Sequence, residues 1–166
     1  MPLKTSVWVM CLLVFILAGC GKKSWRPSWE EAGQATGSTQ GEQLYLEARA
    51  KIDIAADYES ILASMALLQR VLAAEPMHRE ALAYLGNLHV LLGTAYTVDK
   101  DDKISHFRQA MKYCELSMYV NPQFRETVNK GIEPWIAVDT LQEEDVQAML
   151  FWVIALQYEF KEGMTM

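Results

Sequence analysis

The chain has 166 residues, 51% of them hydrophobic and 22% charged, and its 15 basic residues against 21 acidic ones give a formal net charge of −6. An acidic chain without a basic stripe cannot neutralise a row of phosphates, which excludes nucleic-acid binding. Anionic lipid would repel the same surface, so charge does not hold this protein at a membrane.

The first element in chain order is a leader. Lys4 supplies a positive start, residues 7–16 an apolar run, and Leu17-Ala18-Gly19-Cys20 sets small residues before a cysteine. The run over residues 6–19 is shorter than the roughly 20 residues a helix needs to cross a bilayer, so residues 1–19 read as a removed leader. The pattern resembles the type II signal peptide of bacterial lipoproteins. The resemblance implies lipidation of Cys20, and two or more acyl chains, at about 0.8 kcal/mol per buried CH2, give stable anchoring. Gly21 instead of Asp after the cysteine implies the outer membrane, on its periplasmic side. Loss of the leader removes Lys4 alone among charged residues and leaves a net charge of about −7. Of the three cysteines, Cys11 leaves with the leader and Cys20 takes lipid, so Cys114 is a lone thiol at an apolar helical position, a small core residue.

Residues 20–42 are rich in Gly, Ser, Gln and Thr and lack periodicity, which predicts a flexible tether reaching roughly 25 Å. Trp25 and Trp29 are out of character there; they suit contact with the lipid interface or docking on the folded body.

Residues 43–162 form the predicted folded domain, all-α. Tyr45, Ala48, Ile52 and Ala55 step by three or four, as do Ile61, Met65, Leu68 and Leu72 after a break near Asp57. Glu75-Pro76 ends the second helix. Ala81, Leu85, Leu88 and Leu92 mark a third that Gly93 closes, and Phe107, Ala110, Met111, Cys114 and Met118 a fourth that ends at Asn121-Pro122. No alternating run of β-branched residues argues for a strand. Asp99-Lys100-Asp101-Asp102-Lys103 lacks the Gly and Glu of a calcium loop, since Ile104 and Ala110 stand in their places, so it reads as a solvated loop with Asp102 capping a helix near Ile104.

Two helical pairs each closed by an acidic or Asn residue and Pro suggest an internal repeat. The segment Ala81-x-x-x-Leu85-Gly86-Asn87-Leu88 resembles the first helix of a tetratricopeptide repeat (TPR), and residues 110–122 resemble its second helix. Residues 61–76 match the second helix of a preceding repeat. The resemblance implies a TPR-like helical-hairpin solenoid with about twelve residues inserted between the helices of its second pair. Its groove would draw on the first helix of each pair, which nominates Tyr45, Arg49, Tyr84, Asn87 and His89 as protein-binding residues.

In the last third, Gly131-Ile132-Glu133-Pro134-Trp135 turns the chain into a short helix, and Glu143-Glu144-Asp145 open a long one where the macrodipole favours negative charge. Residues 148–156 are apolar on every face, too few to span a bilayer and therefore expected to be buried all round. A final solenoid helix normally carries a polar cap. Met149, Phe151, Trp152 and Leu156 are accordingly candidates for an apolar ligand or oligomer face.

Asn121-Pro122-x-Phe124, the Gly131 turn and Asp145-Val146-x-Ala148-x-x-Phe151-Trp152 resemble the TPR-containing lipoprotein (T component) associated with tripartite ATP-independent periplasmic (TRAP) transporters, over most of the domain. That resemblance implies a periplasmic scaffold that pairs with the transporter's solute-binding protein, with a homo-oligomer and a hydrophobic or organic-acid ligand as further expectations. The alternative is a TPR lipoprotein of envelope assembly, serving outer-membrane protein insertion, secretion or pilus assembly. Catalysis is not expected. His78, His89 and His106 come from three segments without metal-protease spacing, and neither a nucleophile elbow, a Gly-rich phosphate loop nor a CxxC pair is present, so no cofactor or metal is implied.

Overall fold

The architecture follows from where each helix can start and stop. A computed structural model describes residues 28–31 and 39–164, and every regular element in that range is helical. Cys20, expected to be lipidated, residues 1–19, expected to be a leader, and Trp25 lie outside the described residues. Helices α1 (Thr39–Ile52) and α2 (Tyr58–Ala74) pack on each other. Asp57 caps α2 by accepting from the Ser60 backbone N–H at 2.8 Å, and the Ser60 hydroxyl accepts from the Asp57 N–H in return, so two orphan donors are satisfied at once. The inner face of α2 is Ile61, Ser64, Met65, Leu68 and Val71, spaced three or four apart. These meet Ala81, Leu85, Leu88 and Leu92 across the interface with α3 (Arg79–Leu91).

Helix α3 is the hub of the fold. It touches α2 on one side, α4 (Lys100–Val120) on another, and α7 (Val146–Met164) on a third. Gly86 makes the α3–α4 crossing close, because a Cβ there would collide with the Cys114 sulfur and sit 3.3 Å from the Ala110 carbonyl oxygen. Cys114 is fully buried, and desolvation, reinforced by neighbouring Glu115, pushes its thiol pKa upward, so it packs as a small apolar residue.

The expectation that Gly93 closes α3 is corrected. The chain passes straight through it in a π-helical turn, Leu92–Tyr96, because Gly93 lies against the Phe107 ring, where a Cβ would come within 2.7 Å of Cε1. The next helix also starts earlier than expected. Asp99, not Asp102, is its cap, accepting from the N–H groups of Asp101 and Asp102 at 2.9 and 3.0 Å, so most of the acidic segment is already helix.

Asn121 turns the chain from α4 into α5 (Pro122–Asn129): its side-chain oxygen accepts from the N–H groups of Gln123 and Phe124. Gly131, with φ +84°, supplies the left-handed residue that a reversal needs, and α6 (Pro134–Ala137) follows with Pro134 and Ala137 inward. Asp145, at 0% exposure, fastens the start of α7. Its Oδ2 accepts from the Asn121 amide and the Gln142 N–H, and its Oδ1 faces the Arg79 guanidinium at 3.6 Å. One carboxylate thus joins the first turns of α3, α5 and α7.

Two boundaries differ from the sequence reading. Helix α1 begins at Thr39, inside the stretch expected to be tether, and Ser28–Glu31 is a short helical turn packed against α4. Trp29 causes the second difference. Its indole stacks on Tyr119 at 5.0 Å and 6° and meets Phe124 edge-on at 6.1 Å, which buries an aromatic side chain that water would otherwise surround.

Candidate interaction surfaces

Three surfaces combine exposure with directed chemistry. The first spans α1 and α3. The Arg49 guanidinium lies 4.7 Å above the Tyr84 ring while its Nε donates to Asp53 at 3.0 Å, and Tyr45 approaches Tyr84 at 6.5 Å and His78 at 4.6 Å. All of Tyr45, Arg49 and Tyr84 are half-buried, so one edge of each remains for a partner. Burial, then the charge of Glu80, raises the Tyr45 pKa, and Arg49 opposes the shift.

Asn87 lies about 60° around α3 from Tyr84 and so stays on the same side, whereas His89 lies about 140° away. His89 belongs elsewhere: it stacks on Tyr113 at 5.5 Å, and its Nδ1 is 3.1 Å from Nδ1 of His106. Burial, then the second imidazole, lowers the His89 pKa to about 4, which keeps one ring nitrogen free to accept. His106 is lowered too, by burial, against the opposing charge of Asp102. Four of the five proposed groove residues therefore share a side, and His89 is an interhelical packing residue.

The second surface is α7 itself, where being apolar all round does not mean being buried all round. Ala148, Trp152 and Ala155 are buried against α3 and α4. Trp152 Nε1 donates to Glu115 Oε1 at 3.1 Å, and the Ser28 hydroxyl donates to the other carboxylate oxygen, so Glu115 ties the N-terminal turn and the last helix to α4. Phe107 stacks on Tyr158 at 5.3 Å, and Arg108 donates to Glu159 at 2.8 Å.

Opposite that face, Val146, Leu150, Val153, Phe160 and Met164 are about half exposed or more. With exposed Gln157 they run at spacings of four, three, four, three and four, the seam of a helix that meets another helix. The four residues nominated for this helix divide accordingly. Trp152 is core, Met149 and Phe151 are half-buried against the core, and only Leu156, 44% exposed, faces outward. Ala148 and Ala155 flank Trp152 on the inward face and let α7 lie close on its neighbours.

The third surface surrounds the Ser28–Glu31 turn. On one side Trp29, Tyr119, Val128, Gly131, Ile132 and Glu133 line a cleft of 570 Å³, and on the other Ser28, Met111, Trp135, Trp152 and Leu156 line one of 430 Å³. Ile132 (39%), Trp135 (56%) and Ile136 (55%) are exposed on the loop between. The periodicity of α7 could have revealed its outer stripe from sequence. Nothing in the sequence pointed to Glu115, which a helical pattern reads as a solvated residue.

Among the described residues no group of three or more His, Cys, Asp or Glu is placed to hold a metal ion, and no helix is long and apolar enough to cross a membrane. No protein-family model matches the chain, and comparison with curated proteins and with solved structures finds no match for it.

Proposed function

We propose that this protein is a lipid-anchored scaffold of the bacterial envelope, held through Cys20 on the periplasmic side of the outer membrane. Its TPR-like helical pairs bind a partner protein of a TRAP-type solute transport system, the solute-binding protein in the first place. The observation that carries the reading is the joining of Tyr45, Arg49 and Tyr84, from the first helices of two successive pairs, into one partly exposed surface. Such a surface offers aromatic area and a guanidinium whose ordering is already complete before a partner arrives. The close α3–α4 crossing at Gly86 supports the repeat reading.

The outer stripe of α7 supports self-association. Its exposed apolar side chains amount to roughly 600 Å² per copy, so two copies joined along it would bury about 1,200 Å², the lower edge of a stable interface. An antiparallel arrangement suits it, since a parallel one would set Glu143 and Glu144 beside their own copies.

Co-purification from detergent-solubilised membranes tests the scaffold. Recovery of a solute-binding protein, reduced by Arg49→Ala and Tyr84→Ala, is the expected result. Recovery of a β-barrel protein or a secretin instead would replace the transport reading with envelope assembly.

A further inference from the structure

The docked Ser28–Glu31 turn changes what an anchor at Cys20 can do. Had the tether run free to Gln43, 23 residues would have allowed the body to stand as far as about 80 Å from the lipid. The chain is instead fastened at Ser28, through Glu115, and at Trp29, through Tyr119 and Phe124. Eight steps of chain lead from Cys20 to Ser28, a reach of at most about 28 Å. Whatever surrounds that turn lies near the bilayer.

What surrounds it is apolar and projects outward. Ile132 shares one flanking cleft with Trp29, and Trp135 shares the other with Ser28, so the segment from Gly131 through α6 runs past the fastening point. Pro134 and Ala137 are buried and fix the loop, which leaves Ile132, Trp135 and Ile136 pointing away from the core. Together they expose roughly 300 Å² of apolar surface within five residues of chain, including a tryptophan, the residue that favours the level of lipid headgroups. The cleft that Trp135 lines also carries Arg108, Lys112, Glu115 and Glu159, two basic and two acidic side chains, and Glu133 stands between Ile132 and Trp135 in the chain. The charges around this segment are therefore mixed in sign.

We propose that Ile132, Trp135 and Ile136 form a membrane-facing foot that dips into the bilayer interface and fixes the orientation of the helical body. This rests on the reading of Cys20 as the lipidated residue. The foot works by apolar insertion, with charges of both signs around it. It leaves α7's outer stripe and the Tyr45–Arg49–Tyr84 surface available to proteins.

The test uses the full chain processed in a bacterial envelope and reconstituted into phosphatidylcholine vesicles carrying brominated acyl chains. Mass spectrometry of the N-terminal peptide first reads acylation of Cys20; an unmodified cysteine would overturn both the anchor and the foot. With Cys20 acylated, and in a Trp25→Phe background that removes the tryptophan next to the anchor, the expected result is quenching of tryptophan emission, most of which disappears in Trp135→Phe. Ile132→Asp combined with Ile136→Asp should abolish that Trp135 signal while the protein stays vesicle-bound and keeps its helical circular dichroism. Acylated protein whose quenching is the same with and without Trp135 would overturn the foot and leave the anchor standing. So would a Trp135 shielded by a co-purified protein and not by brominated lipid.

Discussion

Helices α2 and α7 are the two long apolar-rich helices of the protein, and they dispose of their side chains in opposite ways. Helix α2 turns Ile61, Met65, Leu68 and Val71 inward and leaves mostly Ala, Gln and charged residues outside, with Tyr58 and Leu62 at its edges. Helix α7 turns two alanines and one tryptophan inward and leaves Val146, Leu150, Val153, Phe160 and Met164 outside. An apolar sequence alone does not separate the two cases. What separates them is the outward face: α2 shows mostly small or polar residues to solvent, whereas α7 shows large apolar ones and so still has a surface to cover.

The starts of the two helices carry the largest expected effect. Both begin on an aspartate, but Asp57 is exposed and Asp145 is fully buried beside Arg79. Asp145→Ala leaves the Asn121 amide and the Gln142 N–H without their buried acceptor and takes the buried carboxylate from the Arg79 ion pair, which keeps exposed Glu144, so urea denaturation should show a loss of about 3–5 kcal/mol. A loss below about 1 kcal/mol would mean that α7 is held by its alanine face alone.

The core faces come next. Leu68→Ala empties a site with 0% exposure and should cost about 2–5 kcal/mol. Val153→Asp, on the outer stripe of α7, should change the stability of the monomer by no more than about 0.5 kcal/mol while converting a dimer to a monomer in analytical ultracentrifugation. If Val153→Asp unfolded the chain, the outer stripe would belong to the core and the contrast between the two helices would fail.

How much of this was legible in the sequence depended on whether the signal was local. The helical starts and stops were, since Asp57, Asn121-Pro122 and the Gly131 turn act through neighbours within three residues. Gly93 misled because its role is a close approach to Phe107, fourteen residues and one helix away, and glycine marks a stop and a crossing alike. Asp99 prevailed over Asp102 because its oxygen reaches two N–H groups at once. The docking of Trp29 was foreseen only as one of two options, since the choice depends on Tyr119 and Phe124, some ninety residues on. Of the residues nominated for a groove, Tyr45, Arg49 and Tyr84 lie together, and His89 lies against α4 because its position on α3 points it there.

The α3–α4 interface supplies a test intermediate in size, and it is set by pH. His89 ordinarily titrates near 6.5 and is held at about 4 in the folded protein by burial and by His106. Between those values the unfolded chain binds the extra proton, so this contribution is complete above about pH 6.5 and is lost as pH falls toward 4. It amounts to at most about 3 kcal/mol. His106, also lowered, acts in the same direction. The fall in Tm between pH 7 and pH 4.5 should be smaller in His89→Asn than in the parent chain, and an equal fall would assign the acid sensitivity to the carboxylates.

The smallest effect is the loss of the exposed counterpart of Asp145. Asp57 accepts hydrogen bonds from Ser60, which lower its carboxyl pKa, so its contribution is present above the ordinary carboxylate range and fades as pH falls through the folded value. Water can replace the carboxylate at this site, and the inner face of α2 remains packed when the cap is gone. Asp57→Ala should therefore speed amide exchange at Ser60 and Ile61 and leave Leu68 protected, with little change in Tm. Equal acceleration at Leu68 would show that α2, like α7, depends on its first residue more than on its buried face, and the two helices would then differ in what they expose but not in what holds them.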